Sequence, residues 1–366
     1  MPDLHPSFVH LRVHSEFSLA DSLIKINPLV EATARLGMPA LAVTDQSTLC
    51  SLVRFYKSAQ KAGLKPLCGC DLWVESPAAE QPPSRLVLLC MNTEGYKNLI
   101  QLVSDGFTRN QHQGRALIKR EWILENNHHL IALSGGQHGE VGRALLSQQP
   151  HQADALIHDW LQAFGDRFYL ELHRTGRPGE EDYLHAAVEL ASRMEVPVVA
   201  TNDVMFLEDS DFDAHEARVC IGEGWTLEDQ RRPRNYSDQQ YLKSPEEMCQ
   251  LFQDIPEAIA NTVEIARRCS LEVSLGKSFL PNFPVPAGKS MDVFFREISE
   301  QGLETRLEAT LDVRAPDYQQ QRQAYRDRLA FEQNIILQMG FPGYFLVVMD
   351  FIRWARENAI PVGPGR

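Results

Sequence analysis

Pro39-Ala40-Leu41-Ala42-Val43-Thr44-Asp45 reads as a short buried strand that ends on a carboxylate, and a helical stretch running to Ala62 follows it. The same pattern recurs on both sides. Upstream lie the strand-like Phe8-Val9-His10-Leu11-Arg12-Val13-His14 and a helical stretch from Leu23 to Leu36. Downstream, strands are expected at Pro66–Val74, Leu86–Met91, Leu130–Ser134, Phe168–His173 and Val196–Asp203. Helices are expected at Gly95–Gly106, Glu140–Leu146, Ala153–Phe164 and Asp182–Met194. Such alternation predicts an α/β fold with parallel strand pairing and helices outside, either a barrel or a doubly wound sheet. The strand ends favour a barrel. Arg12 and His14, Asp45, Asp71, Ser134, Glu171 and His173, and Asp203 all fall where strands finish. In a (β/α) barrel those ends form one rim, and sites are built there.

The rest of the chain is organised differently. Residues 212–270 read as helical, with Ser244-Pro245-Glu246-Glu247 as a helix start. Leu280-Pro281-Asn282-Phe283-Pro284-Val285-Pro286 is extended and proline-rich, so a boundary is expected there. The expected organisation is a first domain at 1–275, a linker at 276–286 and a second domain at 287–366. Beyond the linker, Met291–Leu311 and Gln319–Met339 read as amphipathic helices. The apolar run from Gly343 to Ile352 reads as a buried helix, followed by Pro361-Val362-Gly363-Pro364-Gly365-Arg366. A buried helix followed by a Gly/Pro turn normally leads into more core, so the sequence reads as an amino-terminal portion of a larger protein.

The net charge of −13 is unevenly spread. Residues 276–366 carry 11 basic and 11 acidic side chains, so the whole imbalance lies in residues 1–275. An acidic domain repels the nucleic-acid backbone, which leaves two readings open: a surface presented to protein partners, or charge that serves solubility alone. Nothing at the start looks like a signal peptide, and no run reaches the length of a membrane span. The seven scattered cysteines fit a reducing, cytoplasmic setting with free thiols.

The rim residues resemble those of the PHP (polymerase and histidinol phosphatase) barrels, whose strand ends gather His and carboxylate ligands around divalent metals. Order and spacing agree across residues 8–206, but the ligand types do not. His14 is present, with Arg12 at the ligand position before it. Asp45 is present, with Gln46 where His is expected; Asp71 replaces Glu; Arg85 stands in place of His. Gly136 occupies a position that is often Cys, and Met205 follows Asp203 in place of the final His, while Asp21 is kept. A guanidinium stays charged and cannot bind a metal. It can fill a cation site by pairing with Asp21, Asp71 and Asp203. The expectation is therefore an ion-pair network with no metal, against an alternative one-metal site made by His14, Asp71 and Asp203.

The resemblance extends past the barrel. Gly37–Asp45, Val199–Val204, Arg231–Tyr236, Tyr241–Met248, Met339–Phe351 and Pro361–Arg366 are similar to the amino-terminal region of the bacterial replicative polymerases of the DNA polymerase III alpha type. The rim substitutions resemble the proteobacterial branch. The resemblance implies a PHP-type barrel, distorted and of about seven strands, followed by the mostly helical start of a polymerase palm. It implies DNA-directed DNA polymerase activity in the full-length protein, with Mg²⁺, primer-template DNA, deoxynucleoside triphosphates, the sliding clamp and clamp-loader subunits. Gly363, Gly365 and Arg366 would open a nucleotide-phosphate loop. The palm aspartates lie further downstream in the family, so residues 1–366 hold no polymerase catalytic residue and no cofactor. Where the rim is eroded, the family's barrel serves as a platform for a proofreading exonuclease subunit; where it is intact, it can be a metal-dependent phosphoesterase or 3′–5′ exonuclease.

Other signals carry less. Cys68-Gly69-Cys70 has no second cysteine pair to complete a zinc site. Gly135-Gly136-Gln137-His138-Gly139 follows a strand but lacks the Lys-Ser/Thr of a P-loop. Arg231-Arg232-Pro233-Arg234 reads better as a solvated turn than as a DNA contact.

Overall fold

The computed structural model describes residues 8–76, 81–277 and 280–363. It divides into two compact units, Met1–Val273 and Ser274–Arg366.

The first unit is an α/β barrel. Its strands are β1 (Ala40–Val43), β2 (Lys65–Val74), β3 (Ser84–Cys90), β4 (Gln111–His112), β5 (Arg115–Ile118), β6 (Leu130–Leu133), β7 (Phe168–Leu172) and β8 (Val198–Ala200). Pairing runs β1-β2-β3-β6-β7-β8. Residues 8–14 close the ring, although their backbone is too irregular for a continuous ladder. On one side the Ala42 amide donates to the His10 carbonyl at 3.0 Å and the Thr44 amide to the Val13 carbonyl at 2.9 Å. On the other side Val13 bridges Val204 in parallel.

Uniform parallel pairing is not what forms. β3 runs antiparallel to both β2 and β6. Only residues 75–83 separate β2 from β3, too few for a parallel crossover, which needs about a dozen residues. The reversal places the start of β3, not its end, at the rim, so Arg85 sits opposite Trp73 near the far end of β2. The β4–β5 hairpin, unforeseen in the sequence, extends β2 outward through Trp73 and Val74.

Two apolar layers follow from the period of two along each strand. Ala40, Ala42, Leu67, Val87, Leu89, Ile131, Leu133, Tyr169 and Val199 belong to one cluster, the barrel's inner face. The alternate residues, among them Cys70, Leu72, Leu88, Ala132, Leu170 and Ala200, pack with the outer helices through Leu99, Ile157, Trp160, Tyr183 and Leu190. Helix Pro245–Leu251 starts on the expected capping box, with Ser244 accepting from the Glu247 amide and Glu247 accepting from the Ser244 amide.

The second unit is helical: Met291–Thr310, Tyr318–Gln338 and Pro342–Glu357. The last of these is the expected helix of the apolar run from Gly343 to Ile352. Tyr344, Phe345, Phe351 and Trp354 are exposed, and its buried residues are Pro342, Gly343 and Leu346. Among the described residues, no single helix is long and apolar enough to cross a membrane. All seven cysteines are free thiols.

Candidate functional site

The inner face of the barrel turns from apolar to charged as it nears the rim. Counting on in steps of two from the inner cluster leads from Leu67 to Asp71, from Tyr169 to Glu171 and His173, from Val199 to Thr201, and back from Val87 to Arg85. These side chains meet Arg12, which is 1% exposed. Its Nη2 donates to Asp71 Oδ2 at 2.6 Å and its Nη1 to Glu171 Oε2 at 3.1 Å. Its Nε lies 3.0 Å from Asp203 Oδ1, an ion pair whose angle falls short of a hydrogen bond. One guanidinium thus binds carboxylates from three strand ends.

Asp71 is fully engaged. Arg85 donates to it twice, from Nε to Oδ1 at 2.9 Å and from Nη2 to Oδ2 at 2.6 Å, and His14 Nε2 lies 3.2 Å from Oδ2. Arg85 also stacks over the Trp73 ring at 4.3 Å. Asp203 adopts a left-handed φ of 47°, which turns its carboxylate to accept from Arg177 Nη1 at 2.8 Å and from Gln240 Nε2 at 3.1 Å. Arg177 also binds Glu180 through Nε at 3.0 Å.

The electrostatics follow from burial opposed by charge. Burial alone would raise the Asp71 carboxyl, but Arg12, Arg85 and the bond from His14 hold it well below the usual range. Burial is likewise outweighed at Glu171, which Arg12 and His173 bring down to about 2, and at Asp203, which Arg12 and Arg177 bring well below its ordinary value. Burial opposes the charge on Arg12, yet Asp203, Asp71 and Glu171 raise its pKa. His138, by contrast, is pushed down to about 3 by burial and by Arg177.

The residues singled out in the sequence divide into two groups. Arg12, His14, Asp71, Arg85 and Asp203 converge. Asp45 does not. It lies an odd number of residues beyond Ala42 and therefore faces away from the barrel interior, where Ser15, Ser18 and Ser51 donate hydroxyls to it. Gln46 shares the inner parity, but its Nε2 donates to the Asp71 carbonyl at 2.8 Å and leaves the carboxylate alone. Asp21 also departs from the expected arginine pairing: its Oδ1 accepts from the Tyr236 hydroxyl at 2.9 Å. Gly363 is exposed in the second unit, and Gly365 and Arg366 lie outside the described residues.

Glu171 and His173, expected at the rim from their strand ends though not as ligands, and Thr201, Arg177, Glu180 and Gln240, which the sequence did not single out, complete the network. The first three were signalled by period-two spacing. The other three come from loops and a helix start, where no periodicity points. The glycine turn 135–139 has a packing role. A Cβ on Gly136 would lie 2.5 Å from the His173 ring, and one on Gly135 would lie 2.2 Å from the Arg85 carbonyl. The basic cluster is largely neutralised by its neighbours, Arg231 by Asp229 and Arg232 by Glu216.

A divalent cation does not fit this donor set as it stands. His14, Asp71 and Asp203 do bring ligand atoms within 4.8 Å of one another. However, guanidinium nitrogens already occupy both Asp71 oxygens and lie against both Asp203 oxygens.

Comparison with known proteins places this geometry in a lineage. Residues 10–175 match the PHP domain model, and residues 293–366 match the model described as the bacterial DNA polymerase III alpha NTPase domain. The DNA polymerase III subunit alpha of Pseudomonas aeruginosa is 58% identical over 98% of the chain. The chain belongs to the DNA polymerase III alpha subunit family. The subunits of that name from Escherichia coli K12 and Vibrio cholerae are 52% and 50% identical, each over 99% of the chain. The chain spans 31% of the length of each of these alpha subunits. Its barrel is the PHP domain, and the helical second unit carries the match to the alpha-subunit polymerase model.

Proposed function

We propose that this chain is the amino-terminal part of a cytoplasmic replicative DNA polymerase, in which the PHP barrel has exchanged a metal centre for an internal ion-pair network. The full-length protein carries out template-directed DNA synthesis with Mg²⁺, on primer-template DNA and deoxynucleoside triphosphates, in company with the sliding clamp and clamp loader. Residues 1–366 lack the downstream palm aspartates that position two metal ions for phosphoryl transfer, so by themselves they add no nucleotide. The observation that carries the reading is Arg12, buried and bound to Asp71, Glu171 and Asp203 at once. A fixed guanidinium supplies the positive charge that those carboxylates would otherwise draw from a metal. What remains for the barrel is to stand as a rigid platform, and its acidic surface suits a protein partner, the proofreading exonuclease subunit.

The alternative is a metal-dependent phosphoesterase or 3′–5′ exonuclease, favoured by the proximity of His14, Asp71 and Asp203. Metal analysis of the purified chain after incubation with Zn²⁺ and Mn²⁺ separates the two, alongside an assay for shortened DNA 3′ ends. The network reading expects less than stoichiometric metal and no shortening. Stoichiometric metal, with shortening abolished by Asp203→Ala, would establish the alternative. Platform function is tested in the same preparation by calorimetric titration with the exonuclease subunit, where absence of binding overturns it.

A further inference from the structure

We infer that the β4–β5 hairpin and its flanks bind single-stranded DNA by its phosphates, a contact separate from the platform reading above. Residues 106–120 hold Arg109, Arg115, Lys119 and Arg120, with His112 and no acidic side chain. They interrupt a stretch, residues 1–275, that carries the whole −13 of the chain. Arg120 is committed to Glu140 and Asp159. Arg115 and Lys119 are exposed, and among the described residues neither has an ion-pair partner. Arg109 is also exposed and meets Asp105 at 3.3 Å, a surface pair of the kind that contributes little.

The fold presents these cations together. Gln113 and Gly114 both take positive φ, 49° and 80°, as a two-residue hairpin turn favours, and His112 is thereby set opposite Arg115. β5 is fixed to β2 through Trp73 and Val74. Ala116 and Ile118 are buried, and Lys119 continues the extended backbone, so the period of two turns Arg115 and Lys119 to the open face. They stand about 13 Å apart along the chain, far enough to meet separate phosphates. Indole rings steady the cations and leave their N–H donors unspent. Arg115 Cζ lies 5.4 Å from the centre of the Trp73 ring, and Arg109 Cζ and Lys119 Nζ lie 4.8 and 5.7 Å from that of Trp122.

Charge and width select the partner. At physiological ionic strength exposed charges are screened beyond about 8 Å, so a strand on the hairpin responds to these cations before the acidic remainder of the domain. A duplex brings a second charged backbone, which Glu16, Asp21 and Glu223 would repel, since they share with Arg115 the lining of one cleft. A single strand can keep to the hairpin. Its unpaired bases find a stacking face in Phe107, which lines the same cleft and is 46% exposed. An acidic peptide would meet the same cations but lacks bases to stack there.

The test is fluorescence anisotropy of the full chain with labelled oligothymidylate, a DNA duplex of equal length and polyglutamate, across a salt series. Three phosphate contacts, at Arg109, Arg115 and Lys119, give a slope of log affinity against log salt of about −2 on a single strand. Arg115→Glu with Lys119→Glu is expected to weaken oligothymidylate binding about tenfold or more at low salt and to bring the slope to about −0.7. Arg115→Gln with Lys119→Gln, a milder change, should fall between that variant and wild type. Lys57→Glu with Lys61→Glu makes an equal change of charge at exposed positions of the helix Leu52–Lys61 and is expected to bind within about twofold of wild type. Phe107→Ala is expected to weaken binding about fivefold or more. Circular dichroism melts confirm that the variants are folded. Absence of oligothymidylate binding by wild type overturns the proposal. So does undiminished binding by the folded hairpin variants, which would put the contact elsewhere on the chain. Duplex bound as tightly overturns the preference for a single strand, and polyglutamate bound as tightly overturns the assignment to nucleic acid. The platform reading is decided separately, by binding of the exonuclease subunit.

Discussion

Take away the Arg12 guanidinium and three buried carboxylates face one another with their principal counter-charge gone. Breaking a buried ion pair from one side typically costs about 3–5 kcal/mol, so Arg12→Gln is expected to lower unfolding stability by that order at pH 7. Arg12→Lys keeps the charge but cannot address three partners through a planar fork, and should fall between wild type and Gln. The dependence on pH has a definite sign. Asp71, Glu171 and Asp203 titrate below their ordinary values when folded. The stability they draw from Arg12 is therefore present above their unfolded pKa of about 4, and is lost as pH falls through the folded values, that of Glu171 at about 2. Urea titrations of wild type and Arg12→Gln should diverge most at neutral pH and converge in acid; a constant gap would deny the network its role. His10 gives a separate slope. Its Nε2 donates to the Lys243 carbonyl at 2.8 Å, and burial brings its pKa down to about 4. A histidine buried in the neutral form stabilises fully above its unfolded pKa of about 6.5 and loses that contribution as pH falls toward the folded value. Between pH 6.5 and 4, His10→Gln should therefore lose less stability than wild type in the same titration.

At the scale of elements, Gly136 shows how one turn fixes a strand end. It combines φ +58° with direct contact on the His173 ring, so Gly136→Ala meets backbone strain and a clash together. A loss of about 1–3 kcal/mol is expected, measured as a lowered denaturation midpoint, with a larger loss for Gly136→Cys. Retained stability would mean that His173 can vacate its place freely. The same turn marks where the sequence was legible and where it was not. Strand and helix identities in the barrel could be read because apolar runs and amphipathic stretches alternate in step with burial. Strand direction at β3 could not be read from those runs, although the short 75–83 connection held the clue. At the site, the residues on regular strands follow from period two, and the same arithmetic turns Asp45 away from the rim. Arg177 and Gln240 come from irregular backbone and Glu180 from the first position of a helix, where no strand period reaches, and Tyr236 captures Asp21 across more than 200 residues of chain. Such long-range pairings are set by the closure of the ring and leave no local trace.

At the scale of the molecule, the two units differ in how much side chain they bury. The first holds three apolar clusters with dozens of members close to fully buried. Among the described residues of the second, the buried side chains within helices are Phe295, Leu307, Gln333, Pro342 and Leu346. Phe331, Met339, Tyr344, Phe351 and Trp354 stand more than half exposed. Hydrophobic burial is the principal favourable term in folding, and opening free energies follow local burial and packing. The helices Met291–Thr310, Tyr318–Gln338 and Pro342–Glu357 should therefore open at lower cost than β3, β6 and β7, whose residues lie almost entirely within the core. In native-state hydrogen exchange, amides of Pro342–Glu357 are expected to exchange on the order of 100-fold faster than those of Leu130–Leu133 and Phe168–Leu172, a difference of about 3 kcal/mol in opening free energy. The comparison is internal to one sample and independent of any partner. Protection in the last helix equal to that of the barrel strands would show that its exposed aromatic side chains are covered in solution, and would overturn this ordering of stability.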